Sequence, residues 1–329
     1  MTLVGWYAHH LGAGHVVRAL TVAPLMRSTV VLLSSASRPP EWPAERWIAL
    51  PRDDAPGGDD HAAGGVLHWA PLGHQGYTDR MTRIAGWVRD ARPSALVVDV
   101  SAEVTLLARA LGVPVATVVM AGDRSDRTHQ MTYDAATALV ACWPAGFQPV
   151  RGWRERWNPK TTWTGAFSRF DGREPAPPPG SLRAMWLWGR GGDRLISQQV
   201  ALAREVTPAW AWNTSQDLAA ADVWKAMQGS DLVVTHGGQN ALAEVAAARR
   251  RAVVLPQPRP HDEQVHLTRA LATAGLARPH ERWPEPDEWP QLLDRAAPQD
   301  PADWSRWSDG RGASRMADAL DAFARRQAA

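Results

Sequence analysis

Short apolar runs alternate with longer amphipathic segments along the whole chain. This is the pattern of strand–helix units that feed a parallel sheet. In the first half, Leu3–Tyr7, Val30–Leu33, Trp47–Leu50, Val66–Trp69, Ala95–Val100 and Val115–Met120 predict strands. The segments Val16–Met26, Asp79–Ala91, Ala102–Leu111 and Thr128–Ala141 predict the helices between them. Arg52 to Gly65, rich in Asp, Gly and Pro, predicts a surface loop.

The alternation stops at Gly172–Ser181, where four prolines make helix or central strand untenable. It then restarts with a strand over Leu182–Gly189, a helix from about Arg194, a strand over Ala209–Trp212 and a helix over Leu218–Met227. Two further buried strands follow, Leu232–Val234 and Ala252–Pro256. A final helix over Ala313–Arg326 places Met316, Leu320 and Phe323 on one face. The domain reading is therefore 1–170, a linker at 171–181, a second domain over 182–311 and a C-terminal helix over 312–329.

One stretch carries the strongest chemical signal. Thr235-His236-Gly237-Gly238-Gln239-Asn240-Ala241-Leu242-Ala243-Glu244 joins a buried strand to an Ala-rich helix. Glycines at such a turn let a ligand approach the backbone closely, and the unpaired amides of the first helical turn favour phosphate. Glu244, about one turn into the helix, is placed to accept hydrogen bonds from ribose hydroxyls. An anion beside a hydroxyl-bearing group describes a nucleotide diphosphate. A plain strand–helix turn with glycine for packing is the other use of the pair.

This run resembles the signature of the donor-binding half of GT-B glycosyltransferases, and the glycine-rich segments are most similar to family 28, which includes a cell-wall N-acetylglucosamine transferase. The resemblance implies an α/β fold of two Rossmann-like, doubly wound domains facing across a cleft, the first for the acceptor and the second for the nucleotide sugar. It places His236, Gly237, Gly238, Gln239, Asn240 and Glu244 against the donor. It also implies that Glu263-Gln264 hold the hydroxyls of the donor sugar and that Gly189-Arg190-Gly191-Gly192-Asp193 is a second glycine loop at the diphosphate. Trp212, at a strand end, is a candidate to flank the nucleobase, with core packing its alternative use, and Arg259 is a candidate to pair with the diphosphate or else to brace its turn. The C-terminal helix is expected to cross back to the first domain.

His9-His10-Leu11-Gly12-Ala13-Gly14-His15-Val16-Val17-Arg18 follows the first strand. A dinucleotide fingerprint fails here, because Val17 stands at the third glycine and no acidic residue ends the second strand. The run instead resembles the first loop of family 28 transferases, with Gly14 near the donor and His15 at the head of the first helix. An imidazole there suits removal of an acceptor hydroxyl proton, since a helix amino end helps keep it neutral; capping the helix or holding the loop is its alternative use. Asp99, at the carboxyl edge of a predicted parallel strand, is the expected partner that fixes the tautomer of His15. Capping the next helix is its alternative use, for which Ser101 competes. His10 is expected to line the cleft, and Asp123 and Arg124 to contact the acceptor, unless they pair within a solvated loop.

The expected function is transfer of a hexosyl group, N-acetylglucosamine or a related hexose, from a nucleotide diphosphate sugar to an acceptor hydroxyl, with inversion and with UDP as carrier. No Asp-x-Asp stands at a plausible donor site, so neither a metal nor a separate cofactor is expected. A sugar-nucleotide 2-epimerase shares the architecture but typically carries acidic residues after the glycine pair, where Gln239-Asn240-Ala241 stands. A non-catalytic sugar-nucleotide sensor is the other alternative.

Composition narrows the partners. Hydrophobic residues make 45% of the 329 and charged residues 21%, which is ordinary for a globular protein. A formal net charge of +2, with no basic run interleaved with aromatics, gives no case for nucleic acid. The positive charge is nearly all arginine, a mark of GC-rich bacterial coding rather than of function. Cys142 is the only cysteine and fits a buried inert thiol. The longest apolar region, Ala95–Met120, is broken by Asp99, Glu103 and Arg109, so it predicts no membrane span. The expectation is a cytoplasmic protein, touching a membrane surface only if its acceptor is lipid-linked.

Overall fold

The computed structural model describes residues 2–12, 14–54, 60–189 and 194–328. The first half contributes β1 (Leu3–Ala8), β2 (Thr29–Ser34), β3 (Trp47–Ala49), β4 (Ala95–Asp99), β5 (Val115–Val119), β6 (Gly122–Asp123), β7 (Ala138–Ala141), β8 (Val150–Arg151) and β9 (Thr161–Trp163). Seven of these form one parallel sheet in the order β3-β2-β1-β4-β5-β7-β9, with β6 and β8 paired beside it. All residues of β4 and β5 are buried, as parallel strands covered on both faces must be. Helices α1 (Gly14–Val22), α2 (Gln75–Ala91), α3 (Ala102–Ala110) and α4 (Arg127–Ala135) connect them.

After the proline-rich stretch, β10 (Arg183–Leu187), β11 (Ala211–Thr214), β12 (Leu232–Thr235), β13 (Arg251–Val254) and β14 (Arg278–Pro279) form a second parallel sheet, ordered β11-β10-β12-β13-β14. Its helices are α5 (Arg194–Val206), α6 (Val223–Gln228), α7 (Gln239–Ala248), α8 (Glu263–Thr273) and α9 (Trp289–Ala296). The last helix, α10 (Gly312–Ala328), packs Met316, Leu320 and Phe323 against Val4, Trp6 and Val30 of the first sheet. Asp321 fastens it there by accepting from the Arg27 and Ser28 amides at 2.7 and 3.0 Å.

Both sheets are doubly wound, as the alternation predicts. The winding reverses between β1 and β4 in one sheet and between β10 and β12 in the other. At such reversals the carboxyl ends of the strands open a crevice in which ligands sit. One apolar cluster runs through both halves, joining Val119, Trp143 and Trp157 to Met185, Leu242 and Trp307. The two sheets are therefore packed together and not merely tethered. Among the described residues, no helix is long and apolar enough to cross a membrane.

Two local expectations fail for identifiable reasons. Val66–Trp69 is not a strand: the His68 and Trp69 amides donate to Glu103 Oε1 at 2.8 and 3.0 Å, which removes them from any ladder. The helix expected over Thr128–Ala141 ends at Ala135, because Ala136 turns to φ −59°, ψ 136°, and Ala138–Ala141 pairs with β5 instead. A short buried apolar run reads the same for helix as for strand. No expectation covers β9: the chain between it and β7 runs through β8 and a short 3-10 segment at Glu155–Lys160 that holds Pro159, and it carries no helical pattern.

Candidate functional site

Where β1 and β4 diverge, the head of α1 meets the end of β4. His15 Nδ1 lies 2.9 Å from Asp99 Oδ1. Ser101, not Asp99, caps α3, accepting from the Val104 amide at 3.1 Å, so the aspartate is left for the histidine. Val100 between them has φ +61°, a conformation costing a β-branched residue about 1–2 kcal/mol. Arg18, on the same face of α1 as His15, donates to the same Asp99 oxygen at 2.5 Å. Burial alone would raise the Asp99 carboxyl, but the Arg18 guanidinium and His15 outweigh it and hold the group below the usual carboxylate range. Asp99 therefore stays ionised and orients Nδ1–H of His15, leaving Nε2 to accept a proton. His9 flanks His15 edge-on at 6.3 Å, and burial pushes its imidazole down to about 3, which keeps it neutral.

The other wall is the head of α7, at the reversal between β10 and β12. A side chain at Gly237 would come within 2.6 Å of Thr268 Oγ1, and one at Gly238 would strike the His236 ring. The glycine pair thus serves tight strand–helix packing as well as an open approach. His236 Nδ1 accepts from the Gly238 amide at 2.9 Å. Burial, with Arg259 nearby, pushes this imidazole down to about 4. The donors left for a ligand are thus the next amides of the first turn, from Gln239 onward. Side chains of α7 bridge to the first half: Gln239 accepts from Arg18 Nη2 at 2.9 Å and donates to the Cys142 carbonyl at 3.0 Å, and Asn240 donates to the Gly14 carbonyl at 3.3 Å. Glu244 accepts from Arg169 at 2.8 Å.

Between the two helix heads lies a cleft of about 460 Å³. Gly14, His15, Gly189, His236, Gly238, Gln239, Asn240, Glu244 and Glu263 all line it. Other residues singled out in the sequence sit elsewhere. Trp212 packs against Trp186 and Trp289 with its indole nitrogen on Thr207; the tryptophan at the cleft is Trp188, edge-on to His236 at 5.2 Å. Gln264 is buried and accepts from the Gln257 amide, so it braces the loop instead of facing a sugar. Arg259 bonds Gln257 at 3.2 Å on the exposed side of that loop. His10 stacks on His9 beside Arg80, behind the loop. Asp123 bonds Ser125, and the buried Arg124 is spent on the Met120 and Ala121 carbonyls and on His129, so neither reaches the cleft. Gly191 lies outside the described residues.

Sequence reasoning passed over Arg18, Arg169 and Trp188. The three-residue spacing from His15 to Arg18, which puts them on one helix face, was the available signal for the first. Nothing local marks Arg169. Away from the cleft, His68, Asp126, His129 and His261 gather in a second group.

Comparisons with known proteins agree with this fold. Residues 220–283 match the model of the glycosyltransferase family 28 C-terminal domain. The chain superposes on the crystal structure of Acinetobacter baumannii MurG with a TM-score of 0.68 at 15% identity, covering 98% of this chain and 100% of that one. It is also similar to Phytolacca americana UGT2, solved with UDP-2-fluoro-glucose and pterostilbene (TM-score 0.68, 14% identity, 100% of both chains). A third similar structure is the Streptomyces glycosyltransferase SsfS6 complexed with thymidine diphosphate (TM-score 0.62, 12% identity, 98% of this chain and 100% of that one). No curated protein sequence matches the chain. The fold is GT-B, and the matched domain model is that of nucleotide-sugar-dependent glycosyltransferases.

Proposed function

We propose that this GT-B chain transfers a hexosyl group from a nucleotide diphosphate sugar to an acceptor hydroxyl, with His15 as general base. The observation that carries the reading is the opposition of the two helix heads across one cleft: a histidine oriented by a buried aspartate on one side, and the amino end of α7 on the other. The diphosphate would lie against the first-turn amides of α7, whose dipole stabilises the leaving charge, the preorganised role a metal takes elsewhere. His15 Nε2 would take the proton of the acceptor hydroxyl as its oxygen bonds the anomeric carbon and the bond to the diphosphate breaks. Nucleophile and leaving group then stand on opposite sides of the sugar, so a single displacement inverts the anomeric centre.

Glu244 would hold the ribose hydroxyls and Glu263 the donor sugar, both facing the cleft. UDP-N-acetylglucosamine is the first donor to try. The similar structures containing UDP-2-fluoro-glucose and thymidine diphosphate make UDP and dTDP the carriers to compare.

A thermal-shift panel of UDP, dTDP and GDP and their sugars tests the reading. Ligand at a hundred times its dissociation constant stabilises the folded state by about 2.7 kcal/mol, a readily visible rise in melting temperature. If none of these compounds changes melting, the donor assignment fails.

A further inference from the structure

The second group of side chains is assembled from three separate segments. His68 lies in the loop before α2, Asp126 and His129 stand at the head of α4, and His261 follows β13. One ligating atom from each lies within 4.8 Å of the others. The three imidazoles pack on one another at centroid distances of 4.4, 4.6 and 5.3 Å, around a single carboxylate and beside Arg124. Protonating all of them would set like charges in contact. As neutral rings they offer lone pairs to a cation.

Distances separate ligands from support. Two atoms bound to one tetrahedral ion at about 2.0–2.1 Å are roughly 3.3 Å apart. His68 Nε2, within hydrogen-bond reach of Asp126 Oδ1 at 3.2 Å, and His261 Nδ1, 3.8 Å from Asp126 Oδ2, both stand near that spacing. His129 Nδ1 is 2.5 Å from Asp126 Oδ2, which is a hydrogen bond, and its Nε2 accepts from Arg124 Nη1 at 2.9 Å. Both nitrogens of His129 are spent. Arg124, tied by its other nitrogens to the Ala121 carbonyl, fixes the tautomer in which His129 donates to the carboxylate.

We propose that His68, Asp126 and His261 bind a divalent transition-metal ion of the zinc type, with His129 orienting the carboxylate and a remaining position open to water. Two imidazoles and one carboxylate select zinc, cobalt or nickel over magnesium or calcium. The site is distinct from the diphosphate side of the cleft, where no metal is expected, and it stands whether or not the transferase reading holds. Its ligands come from both halves of the molecule: His68 and Asp126 belong with the first sheet, His261 with the second. The ion would pin the loop carrying His261 and Asp262, both at positive φ, to the opposite half, two residues before the cleft-lining Glu263.

The test is calorimetric titration of the chelator-stripped full-length protein with Zn²⁺, with Mg²⁺ in parallel, for wild type, His68→Ala, His261→Ala and His129→Ala. Wild type should bind one equivalent of Zn²⁺, gain thermal stability on binding, and ignore Mg²⁺ at the same concentration. Loss of the supporting His129 should weaken zinc about 10–100-fold, and loss of either ligand should weaken it further. Failure of wild type to bind one equivalent overturns the site even if a variant does not fold. So does zinc affinity in His68→Ala or His261→Ala within tenfold of wild type, since the chain's other histidines would then be the binders. A loss in His129→Ala equal to that of the ligand variants overturns the assignment of His129 as support.

Discussion

Arg169 reaches from the segment just before the proline-rich stretch to donate a hydrogen bond to Oε1 of Glu244 on α7, at 2.8 Å. The glutamate side chain is only 13% exposed. Burial raises its carboxyl and the Arg169 guanidinium opposes this without fully offsetting it. A poorly hydrated carboxylate with one cationic partner is a strong acceptor for a hydroxyl that can replace water. Glu244→Ala should therefore weaken nucleotide diphosphate binding by about 10–100-fold, the range for a hydrogen bond to a charged group of roughly 1.5–3 kcal/mol. Arg169→Ala should weaken it less, and the double variant should show a coupling of about 0.5–3 kcal/mol in a cycle measured by calorimetry. An unchanged dissociation constant in Glu244→Ala would remove the ribose role.

The pairing of His15 with Asp99 predicts a split between binding and turnover. His15→Ala should lower kcat by about 10²–10⁴-fold while the donor dissociation constant moves only a few-fold. Asp99→Asn keeps the shape but frees His15 to adopt the wrong tautomer, so it should lower kcat within the same range. Equal losses in donor affinity and in kcat for His15→Ala would make the residue a loop brace instead of a base.

Arg18 and His15 share Asp99 Oδ1, and both arginine and aspartate are buried. Arg18→Met removes the cation and strands a carboxylate away from water. Breaking one partner of a buried pair typically costs about 3–5 kcal/mol. Urea denaturation should show that loss, together with a weaker tie between α1 and Gln239 of α7. A stability change below about 1 kcal/mol would show that His15 alone suffices to hold Asp99 ionised.

How much of this was legible depends on whether the chemistry is local in the chain. The glycine pair at 237–238 and its helix could be read because a strand, a turn and a first helical turn are contiguous. His15 and Asp99 could be paired because parallel sheets bring strand ends to one edge whatever the loops do. The same rule fails for Trp212, since a strand-end tryptophan also fits a cluster with Trp186 and Trp289, and the residue facing the cleft is Trp188, one position past its own strand. Gln264 and Arg124 were misplaced because a buried polar side chain that satisfies backbone groups has the same spelling as one aimed at a ligand. The β7 strand was hidden by an Ala-rich run that suits either regular structure. The group of His68, Asp126, His129 and His261 spans nearly 200 positions, and no spacing rule joins such distant residues.

A last prediction concerns pH and rests on Asp171, beside the proline-rich stretch. Both carboxylate oxygens are buried, and neither makes a well-formed hydrogen bond among the described residues, the Ser168 backbone being the one polar group close to them. Burial pushes this carboxyl up to about 6, with the Ser168 backbone and then Arg249 opposing and Asp309 adding to the rise. Between the ordinary value near 3.8 and about 6, the folded chain therefore holds a proton that the unfolded chain has released. Stability from this group is fully present below 3.8 and is lost as pH rises through 6. The buried His236, pushed down to about 4, has the opposite sign: its unfolded form takes up a proton first, so stability is lost as pH falls from about 6.5 toward 4. The two trends overlap, which makes the difference between variants the informative quantity. Asp171→Asn should match wild type at pH 4 and exceed it at pH 8. Although both oxygens are covered, the residue as a whole is only half-buried, so the gain is discounted to on the order of 1 kcal/mol, or about 2 °C in melting temperature. Differential scanning calorimetry across that range reads the crossover directly. A variant less stable than wild type at pH 8 would mean that the carboxylate is solvated or paired in the folded protein and that its burial exacts no penalty.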